Sequence, residues 1–210
     1  MVQQNTKERI RDVALDLFSK NGFHSVTIGE IASDAGIKAP SLYKHYRNKQ
    51  EILDAIFMEM QRRYENHTDS INKFMGNADR DWYVYQTVTE QGHVQMVQEL
   101  LEYAIHDEYS SKFRKMITIE QFRDPAFAQL YTERYVNYIV KYHETLFRKL
   151  VEKDLLVNED TYVMAIQYTS PIIMALQIVD REQEREEEMM RLLERHIRLF
   201  NRLYRVNMGS

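Results

Sequence analysis

Three features of the sequence predict an all-α fold: a scarcity of breakers, a series of well-formed helix caps, and a lack of strand-like alternation. Across 210 residues there are only 6 Gly and 3 Pro, so connections must be short and regular structure nearly continuous. Apolar residues recur at three- and four-residue spacing rather than at two. The chain is long enough for a substantial core, divided here into a small N-terminal module (1–50) and a larger helical part (51–210).

The first helix is expected from about Thr6 to Lys20. Ile10, Val13, Ala14, Leu17 and Phe18 share one face, Asn5 is the N-cap and Asn21-Gly22 ends the helix. Thr27-Ile28-Gly29-Glu30 is a capping box that opens a short helix to Ala35, with Val26 and Ile31 as its hydrophobic staple. Gly36 breaks it, and a third helix runs from Pro40, suited to a helix's first turn, to Tyr46. Asn48-Lys49-Gln50-Glu51 caps a fourth helix that continues toward Phe74 and connects the two parts.

Gly76 to Asp79 reads as a loop. Beyond it helices are expected near 80–91, 93–107, 110–123, 125–152, 159–180 and 183–205. Their breaks are Gly92, Asp107-Glu108, Asp124-Pro125, Asn158 and Asp180. Pro171 falls inside one helix, where it removes a hydrogen bond and introduces a kink. The kink suits either the wall of a cavity or a curved interface. Glu182 to Glu188 is the solvated, acidic start of the last helix.

Short helix, tight turn, short helix is the organising motif of the first fifty residues. Ala32 supplies a small contact point and Gly36 the bend. Ile31, Ile37 and Leu42 supply an apolar seam, so two helices can cross steeply as in a helix-turn-helix. In the second of these helices only Leu42 and Tyr46 are needed inside. Lys38, Ser41, Tyr43, Lys44, His45 and Lys49 then face outward, a basic, aromatic and hydroxyl-bearing surface of the kind that enters a major groove. Charge agrees with this placement: residues 1–50 are net +3, while the remainder is net −7.

Several classes are disfavoured. There are no cysteines, so disulfides, thiolate metal sites and Cys nucleophiles are excluded, consistent with a reducing cytoplasm. No secretory leader and no run of about 18 apolar residues is apparent, so no membrane association is expected. Gly-rich phosphate loops, nucleophile elbows and dinucleotide fingerprints are missing, so no enzymatic activity and no cofactor is expected. The remaining enzymatic alternative is a helical-bundle metalloenzyme. It would need two Glu-x-x-His motifs, and only Glu90-x-x-His93 is present, with Glu102 and His106 as a further pair.

The segments Thr27 to Ala32, Ala35-Gly36-Ile37, Ser41 to Tyr46 and Arg47 to Leu53 together resemble the TetR family of transcriptional regulators. The resemblance is specific over about residues 5–55; beyond them it extends only to length and helical layout. It implies that Tyr43 and His45 contact phosphates. Lys38, Ala39 and Lys44 would reach base edges, and Thr27 and Lys49 clamp the DNA backbone. Whether Lys44 bonds a guanine or a phosphate stays open. The resemblance further implies a homodimer that represses from a palindromic double-stranded operator and is released by an unidentified small-molecule effector. A ligand-independent regulator or an activator is the alternative.

Dimer contacts are expected on the last two helices, through Met189, Leu193, Ile197 and Phe200 of the final one, with packing of that helix on its own subunit's core as the other reading. Aromatic residues of the middle helices, among them Tyr103, Phe122, Tyr135, Tyr138 and Tyr168, are candidates to line an effector pocket, with simple core packing as the other reading.

Overall fold

The computed structural model describes residues 5–71 and 77–206, with side chains described outside 64–71. The helices are α1 (Thr6–Asn21), α2 (Ile28–Asp34), α3 (Ala39–Leu42), α4 (Lys49–Ile71), α5 (Ala78–Thr87) and α6 (Glu90–His106). They continue with α7 (Glu108–Glu120), α8 (Pro125–Thr132), a π-turn (Glu133–Asn137), α9 (Tyr138–Glu152), α10 (Thr161–Val179), a 3-10 turn (Gln183–Arg185) and α11 (Glu186–Tyr204). No strand is present among the described residues; one antiparallel bridge pairs Leu156 with Arg205.

The chain forms two compact units, and they do not follow the linear division at residue 50. One takes the chain up to His67 together with Glu108–Tyr131; the other takes Thr68–Asp107 and the chain from Thr132 onward. The reason is burial. In the first unit α1 contributes Ile10, Ala14, Leu15 and Phe18 to the core, α4 contributes Ile52, Leu53 and Ile56, and α7 contributes Phe113, Met116 and Ile117. Lys112 on α7 pairs with Asp16 on α1 at 2.8 Å, and the Tyr109 hydroxyl donates to the Ile56 carbonyl at 3.2 Å. Helices α7 and α8 therefore complete the hydrophobic core of the N-terminal module.

In the second unit the apolar faces of α6, α9, α10 and α11 meet around Tyr168, which is fully buried. Phe147 and Phe200 pack edge-on or tilted against its ring at 5.4 and 4.9 Å. His93 joins this core: its Nδ1–H donates to Asn201 Oδ1 (3.1 Å), and its Nε2 accepts from the Tyr168 hydroxyl (2.8 Å). His143 Nδ1–H donates to the Ile139 carbonyl at 2.9 Å. Burial holds both imidazoles at about 4 and pushes the Tyr85 hydroxyl up to about 12.

Several boundaries differ from the sequence reading. Gly92 is not a break. Thr89 caps α6 by accepting the Gly92 N–H at 3.0 Å, and the helix runs through the glycine, where a Cβ would crowd Val88. Of the expected Gly76–Asp79 loop, Asn77 caps α5 and Ala78 begins it, while Gly76, like Phe74, lies outside the described residues. The expected 125–152 helix is continuous, with a π-helical stretch at Glu133–Asn137, and the cap of α10 is Asp160 rather than Asn158. The third helix spans only Ala39–Leu42 before relaxing into turns.

Two larger corrections concern the last helices. Met189, Leu193, Ile197 and Phe200 are buried against their own chain, because the stripe they form faces α6 and α10. They are core residues, not an outward dimer surface. Helix α10 is long and apolar enough by length and composition to cross a membrane, contrary to the expectation that no segment is. Part of its apolar surface is buried in the second unit, through Met164, Ala165, Tyr168, Ala175 and Val179.

The buried histidines make a prediction about pH. An unfolded imidazole titrates near 6.5, so between pH 6.5 and 4 the unfolded state binds more protons than the folded one. The stability from neutral His93 and His143 is present above that window and is lost as pH falls through it. We expect chemical unfolding midpoints to drop from pH 7 to pH 5, with a slope of about 1.4 kcal/mol per pH unit for each histidine. A pH-independent midpoint would contradict the buried, neutral assignment.

Candidate nucleic-acid interface

The frame of the N-terminal module is built by caps. The Asn5 side chain accepts the Lys7 N–H at 3.1 Å, opening α1. At α2 the capping box is complete: Glu30 N–H donates to Thr27 Oγ1 (3.3 Å), while Thr27 N–H and hydroxyl both donate to Glu30 Oε2 (2.7 Å each). These donations hold the Glu30 carboxyl below its ordinary range. Between α2 and α3, Gly36 adopts φ +64°, and the Ile37 N–H returns to the Ala32 carbonyl at 2.9 Å. Asn48 Oδ1 accepts the Glu51 N–H at 2.8 Å, and Glu51 Oε2 accepts the Arg47 N–H at 2.6 Å.

Inside this frame Leu42 is fully buried, and Tyr46 is nearly so, its hydroxyl donating to the Lys7 carbonyl at 3.1 Å. Burial raises the Tyr46 hydroxyl's pKa. The opposite side of the same segment is open. Thr27, Lys38, Tyr43 and Lys44 are exposed, and Ala39, Ser41 and His45 are half-buried. Arg47, which the sequence reading left out of its site, is also exposed beside them. A cationic, aromatic-bearing ridge on a rigid two-helix frame is chemically suited to phosphate and base-edge contacts.

Lys49 behaves differently from expectation. Its ammonium turns inward and donates to the carbonyls of Phe23 (2.8 Å), Val26 (2.8 Å) and His24 (3.3 Å). It also lies 4.5 Å from the centre of the Phe23 ring. Burial lowers its pKa, while Glu120 and Glu30 act in the opposite direction. The side chain thus satisfies the carbonyls of the α1–α2 loop. Nothing in its sequence spacing distinguished this from an outward lysine, because the acceptors lie 23 to 26 residues away.

The five aromatics considered for a pocket are scattered in environment. Tyr168 is buried, Tyr103 and Tyr135 are half-buried, and Tyr138 is 49% exposed. Phe122 is 91% exposed at the end of α7, in the first unit, whereas the other four belong to the second. For metal chemistry, Glu90 and His93 both lie in the first turn of α6, but His93 is committed to Asn201 and Tyr168, and His106 pairs with Glu186 at 2.8 Å. Among the described residues no three His, Cys, Asp or Glu side chains are placed to hold a metal ion.

A capped helix-turn-helix that carries an exposed basic ridge, in a helical chain, defines the helix-turn-helix class of folds. Residues 10–56 match the family model described as bacterial regulatory proteins, tetR family. The chain's curated relatives include the class A tetracycline repressor protein from transposon 1721 of Escherichia coli, 40% identical over 81 residues, covering 39% of this chain and 33% of the relative. The regulator AcrR of Shigella flexneri is 41% identical over 54 residues, covering 26% and 25%. The chain thus spans about a third or less of the length of these relatives.

Solved structures extend the likeness in fold to nearly the whole chain. A TetR-family structure from Mesorhizobium loti superposes with a TM-score of 0.66 at 18% identity, covering 96% of this chain and 97% of that one. SmeT, described as the repressor of a Stenotrophomonas maltophilia multidrug efflux pump, superposes at 0.62 with 19% identity, covering 98% and 93%.

The inward Lys49 changes what its removal should do. Lys49→Met keeps the aliphatic stem but leaves three loop carbonyls without their donor. We expect the thermal stability of the N-terminal unit to fall by about 2 kcal/mol, measured by calorimetry, with the salt dependence of DNA binding unchanged. A shallower salt slope at unaltered stability would instead make Lys49 a phosphate contact.

Proposed function

We propose that the protein is a sequence-specific transcriptional regulator, most simply a repressor, that binds a palindromic operator as a homodimer and is released by a small-molecule effector. The observation that carries this reading is the exposed ridge of Lys38, Tyr43 and Lys44 on the capped α2–α3 frame, within the segment matched to the tetR family. Lys38, Ala39 and Lys44 reach base edges, while Ser41, Tyr43, His45 and the α2 start near Thr27 position the DNA backbone. Dimeric binding doubles the length of sequence read, which a single short helix cannot supply alone.

The homodimer reading is supported by the outward sides of α10 and α11. Val163, Ile166, Met174, Leu199 and Leu203 are exposed there, although each is apolar. They replace the buried residues of α11 as the proposed contact surface. The effector reading is supported by structural neighbours whose descriptions name a bound small molecule: SmeT with triclosan, and a regulator from Saccharomonospora viridis with choline.

Two experiments test the reading. In-vitro selection of bound duplexes should recover a two-fold palindrome with half-sites about one helical turn apart or a near multiple; recovery of no motif would remove sequence-specific regulation. On the selected duplex, Lys44→Ala should lose about 1–3 kcal/mol at one base position if the residue reads a base. An equal loss on every sequence would place it on a phosphate. For the assembly, Ile166→Glu combined with Leu199→Glu should convert a sedimenting dimer to a monomer; an unchanged dimer would exclude this face.

A further inference from the structure

Glu120, the last residue of α7, is a carboxylate with no exposed surface, more than sixty residues beyond the segment matched to the DNA-binding family. Burying a carboxylate is expensive unless specific partners use it. Its partners are in the α1–α2 loop. Oε1 accepts the His24 N–H at 3.1 Å, and Oε2 lies 3.9 Å from His24 Nε2. The Lys49 ammonium, held by the Phe23, His24 and Val26 carbonyls, is close enough to interact with the same carboxylate.

Two side chains of opposite charge therefore hold the backbone polar groups of residues 23–26: one acceptor for an N–H, one ammonium for three carbonyls. The fit at the start of the loop is close. Gly22 has φ +83°, and a Cβ there would collide with Glu120 Oε1. Phe23 completes the attachment through Phe18 at 5.2 Å and Phe127 of α8 at 6.0 Å. The loop ends at Thr27, the cap whose position sets the first turn of α2.

We infer that Glu120 is a positioning residue for DNA binding: from α7 it fixes the loop that places Thr27 and α2, so the working DNA-binding head includes α7. The functional half of this statement rests on the DNA-binding reading above; the structural half does not. A residue that only filled space would be replaced without loss by any side chain of similar volume. Glu120 is required to accept a hydrogen bond.

The test uses the full chain with Glu120→Ala, Glu120→Asp and Glu120→Gln. Asp withdraws the acceptor by one methylene and serves as the milder variant should Ala not fold, whereas Gln keeps an acceptor at the Oε1 position. Amide hydrogen exchange at His24, Glu30 and Ile31 should quicken about tenfold or more in Ala and Asp. It should return to near wild type in Gln, with Met164 in α10 unchanged throughout. On a selected duplex, Ala and Asp should bind about five- to tenfold more weakly with an unchanged salt slope, and Gln within about twofold of wild type.

Unchanged exchange at His24 in Ala and Asp would overturn the inference, as would a uniform loss of protection in all three variants. Altered exchange with undiminished affinity would overturn its functional half. Failure of the wild type to select any duplex would refute the DNA-binding reading, and the exchange measurement would still decide whether Glu120 positions α2.

Discussion

The α1–α2 loop and the two charged side chains that hold it are the constraint on which the N-terminal module depends. A six-residue connection cannot satisfy its own backbone, and buried peptide groups without partners are costly. Here Lys49 supplies donors to three carbonyls, Glu120 supplies an acceptor to one N–H, and Gly22 provides the left-handed turn and the space that let them approach. Everything downstream inherits that placement, because the loop delivers Thr27 and the capping box delivers α2.

The arrangement also explains why the module is larger than its sequence motif. Helix α1 is short and apolar on one face, and helices α2 and α3 together cannot cover it. Helix α7 does so with Phe113, Met116 and Ile117, anchored by the Lys112–Asp16 pair, and α8 adds Phe127 beside Phe23 and Phe57. Small domains bury too little apolar surface to be stable alone, so the unit recruits helices from farther along the chain. The exposed ridge can then be polar, since the core is supplied from elsewhere.

The second unit solves a different problem, placing polar aromatic and imidazole groups in an apolar core. Tyr168, His93 and Asn201 form a chain of hydrogen bonds, with His143 bonded to its own helix. Neutral imidazoles are tolerated there because each ring nitrogen that carries a proton has an acceptor. Burial in that core is also why the apolar stripe of α11 is unavailable as an outer surface. The residues left facing outward on α10 and α11, Ile166 and Leu199 among them, are less regularly spaced and harder to recognise in a linear reading.

Local rules determined much of this protein from its sequence alone: the all-α class, the caps at Asn5, Thr27 and Asn48, the Gly36 turn, and the division of the third helix into buried Leu42 and Tyr46 against exposed Lys38, Tyr43 and Lys44. These features arise from hydrogen bonds and periodicities spanning three or four residues, so neighbouring letters suffice to specify them. Tertiary structure decided the rest. The inward turn of Lys49, the burial of Glu120, the membership of α7 and α8 in the first unit, and the burial of Met189, Leu193, Ile197 and Phe200 depend on partners tens of residues away. An amphipathic stripe states that a helix has a buried side; only packing determines whether that side faces its own core or another chain.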